Sequence, residues 1–280
     1  MEKKKKRVDL CLTIIFTIVS IVFLYPIFMV VMNSFKAKTY INSMEHLFKL
    51  PNEESYVGFE NYTLGFERIN FASSFLNTVI VTVGSVAAII VLCSMTAWYI
   101  SRVYNKFTNL IYLLCVCSMI VPFQMIMFPL SKVSDMLKLN NPIAIIFVYL
   151  GFGAGLAVFM FTGFVKSIPI DIEEASMIDG CSPVSTFFRV VLPIMKPTYI
   201  SVAILEAMWI WNDFLLPYLV FSKDYKTVPI AIQYLKGGYG SVDWGAMMAM
   251  LTVSIIPIVI FYLICQKYII KGAIAGAVKG

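Results

Sequence analysis

The 280-residue sequence is poor in charge and almost without histidine. Asp, Glu, Lys and Arg make up 14% of it, against about 25% in soluble domains. Charge is missing altogether from several apolar runs of the length, about twenty residues, that a helix needs to cross a hydrocarbon core of about 30 Å. The single histidine, His46, lies in a polar stretch with no cysteine near it, which excludes a His/Cys metal centre. Without a second histidine or a nucleophile beside a base, an enzyme embedded in the membrane has nothing to work with. Five of the six cysteines (Cys11, Cys93, Cys115, Cys117, Cys181 and Cys265) lie in apolar runs, where the thiol behaves as a small hydrophobe. Cys115-x-Cys117 lacks the spacing of a zinc or redox pair, and no disulfide is expected. No convincing internal repeat appears, which argues against the inverted-repeat architecture of secondary transporters.

What is present is a series of apolar runs flanked by basic residues. The net charge of +6 therefore signals topology rather than a nucleic-acid surface. Met1 to Arg7 is a cationic head ahead of the first run, about 8–31. That run is too long for a signal peptide and shows no small-residue cleavage site, so an uncleaved first span is expected, its lysines held in the cytoplasm. Further spans are expected at about 75–100, 110–130, 142–165, 199–221 and 246–264. Pro122 and Pro129 should kink the third. Gly151, Gly153, Gly155 and Gly163 in the fourth suggest close helix packing rather than a phosphate loop. The expected fold is all-α and polytopic, with six transmembrane helices and both termini cytoplasmic.

Between the fourth and fifth runs lies a polar island, 166–197, that the same topology puts in the cytoplasm. Asp171 with Glu174 three residues on suggests a capping box for a helix over about Ile172 to Asp179. Gly180 would end that helix in the left-handed conformation. Ser182 and Pro183 read as the N-cap and first residue of a second short helix, closing before Pro193. The island's carboxylates could be catalytic, merely solvated, or part of a docking element. Glu173 and Glu174 point about 100° apart on a helix, which suits no shared catalytic site. Paired caps and a fixed shape favour docking on a soluble partner.

On those residues the chain resembles a known family. Glu174-Ala175-Ser176, then Gly180, Val190 and Leu192-Pro193, matches in spacing the EAA motif of ABC-importer permease subunits. Ser176 stands where the family usually has Ala, and Val190 where it has Ile. Trp211-Asn212-Asp213-Phe214-Leu215 with Pro217 resembles the WND-F-L pattern of maltose-type carbohydrate permeases, specifically the shorter second subunit. Phe59 to Tyr62, Phe75 to Thr78, Tyr225 to Pro229, Asp243-Trp244-Gly245, Pro257 and Gly276 to Gly280 resemble that subunit's other landmarks.

The resemblance implies a coupling helix in the island, seated on a separate ATPase, and a permease that moves a sugar, an oligosaccharide, by alternating access. Glu174, Ala175, Ser176, Asp179, Gly180, Leu192 and Pro193 would form the coupling element, with Glu174 as the charged anchor. No G-x-x-x-x-G-K-[ST] occurs in the chain, so it is not expected to be an enzyme or to hold a cofactor. ATP and Mg²⁺ would belong to the partner ATPase dimer. The other implied partners are a second permease subunit in a heterodimer, an extracytoplasmic solute-binding protein, the sugar and membrane lipid, with no nucleic acid. The C-terminal tail would reach between the ATPases.

In the fifth span, Glu206 and Asp213 are two helical turns apart and should share a face. A rise of 1.5 Å per residue from Pro197 puts them about 13 Å and about 24 Å into the bilayer. Lipid exposure of either would cost at least about 2.5 kcal/mol, so that face should line a polar path, a gate or a subunit interface. Trp209 and Trp211 suit stacking on a sugar face, or anchoring at the lipid interface. With Asn212, these make the candidate translocation path or gate.

Overall fold

The computed structural model describes residues 2–236 and 242–277. Among them there is no strand, only isolated bridges joining Lys36 to Tyr56 and Lys236 to Val242. The helices in chain order are α1 (Glu2–Asn33), α2 (Lys38–Ile41), α3 (Met44–Leu47), α4 (Glu60–Arg68) and α5 (Phe71–Ala88). A π-helical turn, Ile89–Cys93, continues α5 into α6 (Ser94–Arg102). Then come α7 (Lys106–Ser118), α8 (Phe123–Met136), α9 (Ile145–Val165), α10 (Ile170–Ile178) and α11 (Pro183–Thr186). A second π-helical turn, Phe187–Val191, leads to α12 (Leu192–Ile194), α13 (Lys196–Asn212), α14 (Leu215–Val220), α15 (Val228–Gln233) and α16 (Trp244–Ala277).

Four uninterrupted helices are long and apolar enough to cross a membrane: Asp9–Asn33, Phe71–Arg102, Ile145–Val165 and Trp244–Gln266. Two bent pairs bring the number to as many as six, α7 with α8 at 109° and Pro183–Ile194 with α13 at 78°. The chain is thus an all-α, polytopic membrane protein. In the first of these helices the hydroxyls bond to the backbone: Thr13, Thr17 and Ser20 donate to the carbonyls four residues back at 2.7–2.8 Å.

The third apolar run is broken into two helices bent by 109°. Pro122, extended at ψ 135°, separates α7 from α8, whereas Pro129 stays inside α8. The helix then runs on to Met136, beyond the expected end of the third span at about 130.

Two compact units divide the chain. The first comprises 1–71 and 231–257. In it α1 exposes its apolar side chains from Leu10 to Phe28, a surface for lipid or another chain. Past α1, Lys36 is buried, its ammonium donating to the carbonyls of His46 (2.9 Å), Leu47 (3.5 Å) and Lys49. No carboxylate pairs with it among the described residues, and burial pulls its pKa down. Asn61 Nδ2 donates to the carbonyls of Ser34 and Lys36, both at 2.8 Å, and its side chain fills the space beside Gly245 where a Cβ would stand. Arg68 pairs with Asp243 at 2.5 Å, and the other oxygen of Asp243 accepts from Ala246 N in the first turn of α16.

The second unit comprises 72–230 and 258–280. Its core forms where α9 packs against α6, α7 and α13, around Ile89, Ala97, Tyr149, Phe161, Phe187 and Val202. Two glycines of α9 permit this approach. A Cβ on Gly153 would fall 2.5 Å from Ile89 Cδ1, and one on Gly155 would fall 2.8 Å from the Cys115 carbonyl oxygen. Gly151 and Gly163 face open space, so close packing accounts for only two of the four glycines singled out in the sequence. Further along, Asn77 Nδ2 donates to the Lys226 carbonyl at 3.1 Å, and Val228 N donates to Thr78 Oγ1 at 2.9 Å. Two of the sequence landmarks, Phe75 to Thr78 and Tyr225 to Pro229, are therefore partners in one contact.

Candidate functional site

Residues 166–197 fold as a helical hairpin. Helix α10 begins directly after Pro169, with Pro169 as its N-cap and no side-chain cap. The capping box expected from Asp171 does not form. With the helix starting at Ile170, Asp171 and Glu173 already lie in its first turn, where their charges face the positive end of the helix dipole. At the other end the turn follows the sequence closely. Gly180 takes φ +89°, Gly180 N donates to the Met177 carbonyl at 3.0 Å, and Cys181 N to the Ser176 carbonyl at 3.1 Å. A Cβ at Gly180 would meet nothing within 4 Å, so backbone conformation alone calls for glycine here. Ser182 caps α11, its Oγ accepting from Ser185 N at 3.3 Å, with Pro183 as the first helical residue.

The second arm does not stop before Pro193. It passes through the π-helical turn and carries Leu192 and Pro193 in α12. Pro193 would clash with the carbonyl four residues back in a regular helix, and the widened turn lies over that position, Arg189. Ser176 joins the two arms, its hydroxyl 3.3 Å from that of the buried Thr186. Alanine, usual in the family, could not make this bond.

The two adjacent glutamates part company. Glu174 is exposed, beside exposed Ala175, Met177, Asp179 and Ile178, the last 86% accessible. Val184 and Phe188 add exposed apolar surface from the second arm. Glu173 is 2% exposed and turns into the second unit. Its Oε1 accepts from Arg102 Nη2 at 2.7 Å and Nε at 3.0 Å, and its Oε2 accepts from Trp98 Nε1 at 2.8 Å. The same Arg102 Nη2 also donates to the carbonyls of Ile168 (2.9 Å) and Val165 (3.4 Å) at the end of α9. The guanidinium thus sits at the negative ends of α6 and α9 and the carboxylate at the positive end of α10. The Trp98 ring packs on Phe187 of the second arm, centroids 5.4 Å apart. Removing one member of such a pair costs up to about 3 kcal/mol, because the other is left unpaired.

Sequence reading alone missed this cluster. Trp98 and Arg102 lie one helical turn apart at the end of a span, a spacing that puts both on one face.

On α13, Glu206 is buried among α9 and the first π-helical turn, and its Oε2 has no hydrogen-bond partner among the described residues. Gly153 leaves room for it, since a Cβ there would lie 3.1 Å from that oxygen. Asp213 does not share a helical face with Glu206, because α13 ends at Asn212 and Asp213 is extended. Its Oδ1 accepts from Leu215 N (2.9 Å) and Leu216 N (3.4 Å), and its Oδ2 from Tyr149 OH (3.0 Å). An aspartate that bonds the amides just ahead of it turns the chain instead of continuing the helix. Trp209 stands edge-on to Tyr149 at 5.6 Å and Trp211 edge-on to Phe75 at 5.8 Å. Asn212 is exposed and donates to the Met208 carbonyl at 2.7 Å. The last three residues of the tail, 278–280, and loop residues 237–241 lie outside the described residues.

Comparison with known proteins agrees with this arrangement. Residues 90–274, which include the whole hairpin, match the family described as "Binding-protein-dependent transport system inner membrane component". A probable starch degradation products transport system permease protein of Thermoanaerobacterium thermosulfurigenes is 37% identical, over 96% of this chain and 96% of that protein. A multiple sugar-binding transport system permease protein of Streptococcus mutans is 34% identical over 100% of both. Among solved structures, a bacterial ABC transporter involved in the import of the acidic polysaccharide alginate shares the fold. It has a TM-score of 0.75 at 22% identity, covering 91% of this chain and 94% of that one. With a family match across the hairpin and relatives alike along their full length, the chain belongs to the binding-protein-dependent transport system inner membrane components, the permease subunits of ABC transporters.

Proposed function

We propose that this chain is one permease subunit of an ATP-driven importer that carries an oligosaccharide across the cytoplasmic membrane by alternating access. It would pair with a second permease subunit and receive its cargo from an extracytoplasmic solute-binding protein. The relatives named for starch degradation products and multiple sugars support the cargo class. The observation that carries the reading is the exposed surface of the hairpin, which presents Glu174 and Ile178 from α10, Val184 from α11 and Phe188 from the π-helical turn. Carboxylates beside exposed apolar side chains suit a cleft offering a cation and apolar walls. The cleft is assigned to a separate ATPase, which would hold ATP and Mg²⁺. The hairpin and both termini would face the cytoplasm.

In this scheme Gly180 and Ser182 set the shape of the hairpin, Ser176 ties its arms, and Ala175 and Asp179 border the anchor Glu174. Leu192 and Pro193 carry the second arm into α13. On α13, Asn212 and Trp209 offer the exposed groups for the path, with Trp211 at its rim. Glu206 and Asp213 serve as gate elements, one at a helix contact and the other at a helix break.

Reconstitution tests the scheme. The complex of this chain with its co-expressed permease, ATPase and binding protein is placed in proteoliposomes with radiolabelled maltotriose, raffinose and arabinotriose. At least one sugar should accumulate with ATP on the ATPase side and none without it. Uptake driven by an ion gradient in the absence of ATP would contradict the scheme and point to a secondary carrier.

A further inference from the structure

The exposed face of the hairpin explains how a partner could hold it, and leaves open how its displacement would reach the spans. Sequence continuity joins α10 to α9 through 166–169 and α12 to α13 at Met195. Neither connection reaches α6, which is some seventy residues away in sequence. The Glu173 cluster does reach it. One guanidinium binds the carboxylate of α10 while capping the end of α9, and it is itself carried by the last turn of α6. Trp98, one turn earlier on α6, takes the second carboxylate oxygen and packs its ring on Phe187 of the other arm.

We propose that Glu173, Arg102 and Trp98 form a strut that makes the hairpin, α6 and α9 move as one piece when the hairpin is displaced. The inference rests on the coupling role given to the hairpin under Proposed function. These are positioning residues. Glu174 meets the partner, and Glu173, the next residue on the same turn, passes the displacement inward. The geometry suits the task because the carboxylate is buried and its three bonds are 3.0 Å or shorter, and because it engages α6, which neither of the hairpin's own chain connections reaches.

The test uses the full complex in lipid nanodiscs. Nitroxides are attached through an azide-bearing amino acid at the exposed positions Tyr104, just beyond α6, and Lys223, beyond α14, which avoids the native cysteines. The distance between them is measured by pulsed electron resonance without nucleotide and after trapping with Mg-ATP and vanadate, and ATP turnover is followed in the same samples. The unmodified complex should show a nucleotide-dependent shift. In Glu173→Gln the ATPase should stay bound and turn over ATP, while the shift at position 104 falls at least threefold. Trp98→Phe, which keeps the ring contact and removes only the N–H donor, should give a smaller loss in the same direction. Arg102→Lys, which keeps the charge, should retain more of the shift than Arg102→Gln. Should Glu173→Gln fail to assemble, Trp98→Phe decides: an undiminished shift there overturns the strut. An undiminished shift in Glu173→Gln overturns it directly. Absence of any shift and of any bound ATPase in the unmodified complex would instead overturn the coupling role itself.

Discussion

Glu173 and Glu206 are each 2% exposed, yet both oxygens of Glu173 have donors within 3.0 Å while Oε2 of Glu206 has none among the described residues. The first lies at the foot of the helix bundle, where three helix ends converge and supply charge of both signs. The second lies along α13, opposite a glycine and an isoleucine of the neighbouring helices. A buried carboxylate with all its partners fixes the relative position of the elements that supply them. One with an orphan oxygen contributes little to the fold and is costly to keep. The foot of the bundle therefore has the properties of a joint, and the middle of α13 those of a place reserved for something other than stability.

The largest expected effect breaks this comparison directly. Replacing Glu173 by Met leaves the half-buried Arg102 without its counter-charge and should destabilise the protein by up to about 3 kcal/mol, against no loss or a gain for Glu206→Met. Thermal unfolding in detergent followed by intrinsic fluorescence measures both, and equal losses would erase the distinction. A smaller effect sharpens the description of the second region. Gly153→Leu must displace Ile89 and press on Glu206, at a cost of about 1–3 kcal/mol, whereas Gly163→Leu enters open space and should be nearly silent. The same unfolding assay reads the pair, and a silent Gly153→Leu would mean that α9 and α13 are less tightly packed than described.

Much of the hairpin was legible from residue types and spacing. Gly180 takes the positive φ that a glycine after a short helix suggests, and Ser182-Pro183 opens the second arm as its composition implies. The apolar runs gave the fold class for the same reason, since a bilayer tolerates only closed backbone hydrogen bonding and the sequence must show it. What stayed hidden depends on contacts distant in sequence. Glu173 and Arg102 are 71 residues apart, and nothing local distinguishes Glu173 from Glu174 except a rotation of about 100° whose inner side cannot be known in advance.

Other misreadings have local causes. Asp171 looked like a cap because capping pairs recur at that spacing, but Pro169 had already started the helix. Pro193 looked like a stop, and a π-helical turn absorbed it. Asp213 looked like a second charge on a helix face, and its bonds to Leu215 N and Leu216 N ended that helix instead. The early and late landmarks were visible as words in the sequence. Their pairing, Asn61 beside Gly245 and Thr78 with Val228, appears only when the chain is folded.

The account assigns the outward glutamate to the partner and the inward one to the spans. The most direct test is affinity purification of the co-expressed complex through a tag on this chain, with the amount of bound ATPase measured for Glu174→Lys and for Glu173→Gln side by side. Glu174→Lys should lose at least tenfold of the bound ATPase while still inserting into the membrane, and Glu173→Gln should keep most of it. Full retention of the ATPase by Glu174→Lys would contradict the account.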